Sequence, residues 1–179
     1  MWISNHRSVG GILSYVRRLG AMIGAADQAE RYAEQLAEGL GRLRVAAAEL
    51  PRHPRVYFEE WDEPMISGIA WVSELISIAG GVDIFPKRAA CGLAKDRIVA
   101  DATEVVRGRP DIILGSWCGK RFRPEKVAAR PGWREIPAVR DGELHEIKSP
   151  DILQPGPAAL TDGVATMHRI FRRWAERES

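Results

Sequence analysis

The sequence predicts an α/β fold: a three-layer lobe with a mostly parallel open sheet, preceded by one long connecting helix. Three observations predict it. From Arg55 onward, short runs rich in β-formers alternate with helical patterns. Asp111-Ile112-Ile113-Leu114-Gly115 is nearly all apolar, the composition of a strand buried on both faces of a parallel sheet. Between about residues 25 and 50, apolar side chains recur at helical spacing over roughly 25 residues, or about 40 Å of helix, longer than a small domain needs for packing.

Each element has its own signal. Ser8 is a candidate N-cap for a first amphipathic helix carrying Ile12, Val16, Leu19 and Ile23, with Gly20 and Gly24 marking its frayed end. In the long helix, Tyr32, Leu36, Leu40, Leu43, Ala47 and Leu50 form the apolar stripe, and Pro51 and Pro54 close it. Residues 55–60 read as a strand, followed by a loop through Pro64. Residues 69–79 read as a helix with Val72, Leu75, Ile76 and Ala79 inward and Gly80-Gly81 as its cap. Asp101 opens a short helix through Arg107, and Pro124 begins another that runs to Arg130. Asp141-Gly142, between Ala138-Val139-Arg140 and Leu144-His145-Glu146-Ile147, is read as a β-hairpin. Residues 160–176 form a last helix with Val164, Met167, Ile170, Phe171 and Trp174 inward.

The chain has 179 residues, 45% hydrophobic and 28% charged, with a formal net charge of +2, values of an ordinary globular protein. Lys and Arg are scattered among Asp and Glu, without the basic stripe that selects nucleic acid. Cys91 and Cys118 are free thiols or a single bridge, not a disulfide framework. His6, His53, His145 and His168 are dispersed and lack metal-ligand spacing, so no protein-held metal is expected. No phosphate-cradling loop, nucleophile elbow or zinc-protease motif is present, and no covalently bound cofactor or enzymatic activity is expected. The first residues lack a charged start followed by an apolar core, so the chain would stay in the cytoplasm if it were the complete product.

Four segments carry a family resemblance in consistent order. They are Trp71-Val72-Ser73-Glu74-Leu75-Ile76 with Ala79-Gly80-Gly81-Val82-Asp83-Ile84-Phe85; Arg109-Pro110-Asp111-Ile112-Ile113; Trp133-Arg134-Glu135-Ile136-Pro137-Ala138-Val139-Arg140-Asp141-Gly142; and Ser149-Pro150 with Gln154-Pro155-Gly156-Pro157. Together they resemble the C-terminal lobe of the class III, helical-backbone solute-binding proteins of ABC importers for cobalamin, siderophores and haem. Asp83 stands where that family usually has Asn. Gly115-Ser116-Trp117-Cys118-Gly119-Lys120 is similar to the cobalamin-binding branch.

The resemblance implies half of a bilobal periplasmic-binding-protein fold. Residues 1–24 would be a remnant of the last helix of the first lobe, 25–54 the connecting helix and 55–179 the C-terminal α/β lobe. It implies a fragment or truncated component, periplasmic or extracellular in location, that captures cobalamin (a corrinoid) or a related metal chelate for an ABC permease. A siderophore- or haem-binding lobe is an alternative. A further one, from the residues, is a self-associating structural or regulatory module in which the exposed connector helix and the uncovered rim pair with a second copy as a homodimer, favoured by an apolar patch on the helix from Ile12 to Ile23.

Open parallel sheets bind ligands beyond the carboxyl ends of their strands. Those ends nominate Trp61, Asp62 and Glu63 after the first strand and Trp117, Cys118, Lys120 and Arg121 after the apolar strand. The aromatic faces of Trp61 and Trp117 suit a large flat ligand, or one or both rings pack under the loops, and Lys87, Arg88, Lys120, Arg121 and Arg123 either meet ligand carboxylates or phosphate, or serve as solubilising charges. Trp71 and Trp133 read as core. Glu146 matches the position at which the resemblance implies docking to permease arginines; an ordinary solvated strand residue is the other reading.

Overall fold

The computed structural model describes residues 4–177. Ser8 caps α1 (Val9–Met22), its hydroxyl accepting from the Gly11 N–H at 3.0 Å, and the Glu74 carboxylate accepts from the Val9 N–H at 2.7 Å. Gly20 does not fray this helix. It lies buried inside it, because a Cβ there would come within 2.1 Å of the Ala29 Cβ, so the absent side chain is what lets the next helix approach. The turn comes at Gly24, whose φ of +76° suits glycine. α2 (Ala26–Ala48) then folds back along α1. Its inward stripe is Ala29, Ala33, Leu36, Leu40 and Ala47, while Tyr32, expected on that stripe, is exposed. Small alanines, rather than the tyrosine, fill the narrow gap between the two helices.

Two β–α units and a run of short helical turns follow. The elements are β1 (Arg55–Asp62), β2 (Met65–Ser67), α3 (Ala70–Ile78), β3 (Val82–Asp83), α4 (Pro86–Ala89), α5 (Thr103–Gly108), β4 (Ile112–Gly115), α6 (Pro124–Ala128), α7 (Pro137–Arg140), β5 (Leu144–Glu146), α8 (Ser149–Ile152) and α9 (Val164–Ala175). Single 3-10 turns stand at Ala94–Arg97 and Trp133–Glu135, and a π-helical turn at Ala159–Gly163 leads into α9. Gly163 is buried there because a Cβ would meet the Asp151 carbonyl oxygen at 2.3 Å.

β1 is the hub of the sheet. β4 pairs with it in parallel on one side and β5 extends the sheet in parallel from β4. The other edge of β1 is shared: β3 runs parallel to its first residues, and β2 runs antiparallel to its last ones across a bulge between Glu59 and Trp61. Two expectations are corrected here. The segment after Trp61 is not a loop; the strand continues through Asp62 and turns at Glu63-Pro64 into β2. Asp141-Gly142 does not join a hairpin either. Pro137 stands at the start of a helical turn, its missing N–H costing nothing there, and the Ala138 N–H is taken by the Pro110 carbonyl at 3.0 Å. Gly142, at φ +72°, ends that turn and redirects the chain into a strand parallel to β4.

The sheet is sandwiched, as the predicted three layers require. Val56, Phe58, Ile112 and Leu114 face a core built with α1, α2, α3, α8 and α9. Tyr57 and Ile113 face the opposite way, into a second core of Val105, Trp117, Phe122, Val127, Trp133 and Ile136. Trp71 and Trp133 are both core residues, as expected; the Trp71 N–H donates to the Ile152 carbonyl at 2.9 Å. Arg52 fastens the end of α9, stacking over Trp174 at 4.4 Å and donating to the Trp174 and Arg177 carbonyls.

Asp83, at the end of β3, accepts from the Phe85 N–H at 2.9 Å. Burial pushes its carboxyl up, against the opposing hydrogen bonds from Ser73 and Phe85. A raised folded pKa means that the native state holds its proton longer than the unfolded chain, so ionisation above about pH 4 subtracts stability. Asp83→Asn therefore raises the melting temperature at neutral pH, and the gain disappears below about pH 4; thermal melts at pH 3.5 and pH 7.5 check both halves of this expectation.

Candidate functional site

The alternation of β1 puts Tyr57, Glu59 and Trp61 on one face of the sheet. Glu59 is fully buried and fully engaged. Arg130 grips both its oxygens at 2.5 and 2.9 Å, the Trp117 N–H donates to Oε1 at 3.0 Å, and the Tyr57 hydroxyl donates to Oε2 at 3.1 Å. Burial opposes the charge on Arg130, but the hydrogen bond and attraction to Glu59 outweigh it and raise its pKa. Burial and the Glu59 charge push Tyr57 well above the ordinary tyrosine range, so it stays a donor.

One step further along β1, Asp62 forms a second polar anchor. Its side chain is 2% exposed and each oxygen has its own lysine: Lys120 at 2.6 Å on Oδ1 and Lys126 at 2.9 Å on Oδ2. Burial pushes this carboxyl up, yet the two lysine hydrogen bonds prevail and hold it at about 2. Lys126 is correspondingly raised by Asp62. Lys126 and Arg130 are four residues apart, the spacing that puts two side chains on one helical face. The whole segment from Trp117 to Arg130 is thus pinned to β1 by two carboxylates.

The structure divides the nominated residues into two neighbouring groups. Trp61, Asp62 and Glu63 meet Lys120 and Lys126 at the tip of the β1–β2 hairpin. Trp61 is half-buried, its N–H donating to the Glu63 carbonyl at 2.9 Å and its ring centre 4.0 Å from the Lys120 ammonium. Glu63 is exposed, 3.7 Å from Lys126. Cys118, Lys120, Arg121 and Glu146 line a groove of about 470 Å³, together with Lys148, Ser149 and Gln154. It lies just beyond the carboxyl ends of β4 and β5, where such sheets take ligands. Lys120 belongs to both groups.

Two of these positions have partners that the sequence does not show. Trp117 does not present its ring at the rim; at 2% exposure it packs edge-on against Phe122 beneath the groove, its N–H spent on Glu59. The buried carboxylate needs that donor, and the sequence contains no sign of the pairing. Glu146 stands inside the groove wall, with Oε1 accepting from the Phe122 N–H at 3.1 Å. Of the other cations, Arg88 is committed to Glu104 and Arg123 pairs with Glu125, whereas Lys87 is exposed. Both cysteines are free. Among the described residues, no group of three His, Cys, Asp or Glu could hold a metal, and no helix is long and apolar enough to cross a membrane.

Sequence reasoning missed Glu59, Lys126, Arg130, Lys148, Ser149 and Gln154. The i, i+4 pair Lys126 and Arg130 was a legible signal for a cationic helix face; nothing local marks Glu59 as its target.

Two expectations follow from the anchors. Arg130→Met strands a buried carboxylate and costs on the order of 3–5 kcal/mol, while adding Glu59→Leu recovers most of it; urea titrations of the single and double variants measure the difference. Asp62 contributes fully above about pH 4, where the unfolded carboxyl is already ionised, and the contribution is lost as the pH falls toward 2. Asp62→Asn therefore lowers stability at pH 7 by about 1–2 kcal/mol and flattens the acid limb between pH 4 and 2, which denaturation across that range tests.

Residues 3–150 match the family described as periplasmic binding protein. A search of curated proteins finds no match. Among solved structures, the periplasmic haem-binding protein RhuT from Roseiflexus sp. RS-1 superposes with a TM-score of 0.78 at 19% identity, over 96% of this chain and 66% of that one. The periplasmic vitamin B12-binding protein BtuF of Vibrio cholerae gives 0.73 at 20% identity, over 98% and 66%. IsdE of S. aureus, complexed with haem, gives 0.74 at 17% identity, over 95% and 67%. At these identities the likeness is one of fold, and the chain spans about two thirds of the length of each.

Proposed function

The chain belongs to the periplasmic binding protein family, and from that premise we propose that it is the ligand-contacting lobe of a solute-binding component that captures a metal chelate for an ABC importer. The division proposed is residues 1–24 as a first-lobe helix, 25–54 as the connecting helix and 55–179 as the C-terminal lobe. The observation that carries the reading is the groove at the carboxyl ends of β4 and β5, lined by Cys118, Lys120, Arg121, Glu146 and Lys148. Its walls offer donors, a soft thiol and cations, chemistry that suits holding a ligand.

A corrinoid is the proposed ligand, with haem as the rival. The Gly115-Ser116-Trp117-Cys118-Gly119-Lys120 run supports the first, and the likeness to haem binders as well as to a vitamin B12 binder keeps the second in play. The proposed location is the periplasmic or extracellular face of the membrane, and the proposed partner is an ABC permease. Glu146 is the proposed permease contact. Its exposure supports this, while its bond to Phe122 ties its orientation to the groove beside it. An exposed charge of this kind would register the complex and speed its formation more than tighten it.

A second reading has an observation of its own. At the tip of the α1–α2 hairpin, Leu19, Met22, Ile23 and Tyr32 are exposed around an apolar hollow of about 330 Å³. Self-association through this tip would cover it.

Titration with cyanocobalamin and, separately, with haemin, followed by tryptophan emission and ligand absorbance, tests the first reading. Saturable binding of one of them is expected, weakened about three- to tenfold by Arg121→Gln with Lys148→Gln. No response to either at high micromolar concentration would sink it. Light scattering over a hundredfold range of protein concentration tests the second: a constant monomer mass at all concentrations rejects it.

A further inference from the structure

Lys120 links the two groups at the rim, and its surroundings make it removable. Its ammonium lies 4.0 Å from the centre of the Trp61 ring and 5.9 Å from that of Trp117, and it donates to Asp62 Oδ1 at 2.6 Å. Trp61 has its edge directed to the Glu63 carbonyl, so the face under Lys120 is the part of the ring a ligand could use. Asp62 does not depend on Lys120 alone, because Lys126 serves the other carboxylate oxygen at 2.9 Å. When Lys120 leaves, a nearly buried carboxylate keeps a charged partner, which removes the main penalty for its departure. The turn that carries Lys120 borders open space: Gly119, at φ +74°, has nothing within 4 Å of where a Cβ would lie. The adjoining groove, which Lys120 also lines, holds Arg121 and Lys148, neither of which forms an ion pair among the described residues.

We infer that Lys120 is a displaceable cover on the Trp61 ring, drawn off into the groove by a ligand that combines a flat conjugated face with an anionic edge. The inference rests on the rim being the chelate site proposed above, and of the two ligands weighed there it favours haem. An anionic edge lying against Arg121 and Lys148 gives the Lys120 ammonium a new counter-charge, and the bared indole face is left for ring stacking. Lys120 thereby sets specificity: a flat ligand without an anionic edge has to displace the lysine with no charge to offer it, and an anionic ligand without a flat face gains nothing from the exposed ring.

The test is a double-mutant cycle on the whole chain, read by calorimetry and chromophore absorbance with haemin (flat and carboxylate-bearing) and cyanocobalamin as probes. Lys120→Met removes the ammonium from the indole face. It is expected to leave the melting temperature within a few degrees of wild type and to tighten cyanocobalamin, whose corrin edge carries neutral amides, about three- to fivefold, the equivalent of one cation–π contact at a half-exposed site, while haemin, which loses the Lys120 counter-charge as it gains the bared face, changes less. Lys120→Arg keeps the cover and should bind as wild type does. In a Trp61→Leu background, Lys120→Met should bring no gain, because the face it uncovers is gone. A gain for cyanocobalamin no larger than that for haemin on Lys120→Met, or the same gain in the Trp61→Leu background, overturns the inference and leaves the site standing. Binding of neither probe by wild type or any variant overturns the site assignment and this inference with it.

Discussion

The buried pair between Glu59 and Arg130 is the constraint on which the rest of the rim depends. A fully buried carboxylate in the central strand is tolerable only when its charge is matched and its lone pairs are filled. Arg130 supplies the charge, and Trp117 and Tyr57 supply two further donors. Meeting this demand fixes the position of everything between Trp117 and Arg130. The indole has to lie beneath the chain, α6 has to turn Lys126 toward β1 with Arg130 following just past its end, and the turn at 117–120 is left standing beyond the carboxyl end of β4.

Asp62 repeats the device nearer to solvent with a different balance. Lys120 and Lys126 are each close to half exposed, so their attraction to Asp62 is screened more than that within the Glu59–Arg130 pair. The rim accordingly grades from a rigid buried base to a looser polar surface. The buried network holds the groove walls in register, and the two lysines remain within reach of solvent. At the bulge the same strand offers Glu60 to Arg97, whose guanidinium is nearly inaccessible and also donates to the Ser67 carbonyl of β2. β1 is therefore pinned by three ion-paired carboxylates, Glu59, Glu60 and Asp62, as well as by three neighbouring strands.

Much of the architecture was legible because it follows from local patterns. Ser8 as a cap, the helix before Gly80-Gly81, the apolar strand at 112–115 and the inward face of the last helix each depend on side-chain period or on glycine and proline placement, and each stands as read. The failures lie where a local signal admitted two tertiary outcomes. Asp141-Gly142 suits a hairpin and equally a helix end; the demand of the β4 edge for a parallel partner, with Pro110 claiming the Ala138 N–H, decided between them. Tyr32 fits a helical stripe by spacing, but the close approach set by Gly20 and Ala29 leaves room only for small side chains.

The site divides in the same way. The residues at the strand ends could be named in advance, since strand direction alone places Trp61, Asp62, Glu63, Cys118, Lys120 and Arg121 at one rim. Their roles depended on partners tens of residues away. Trp117 is spent on Glu59, 58 positions earlier, and Glu146 reaches back to Phe122. By itself the sequence determined an α/β lobe behind a long helix, and the rim at which its strand ends gather, because periodicity and strand polarity are local properties of the chain. Only the tertiary structure decided which aromatic lies open and which is buried, because that choice belongs to the pairing of buried charges, and charge pairing across a sheet leaves no periodic trace.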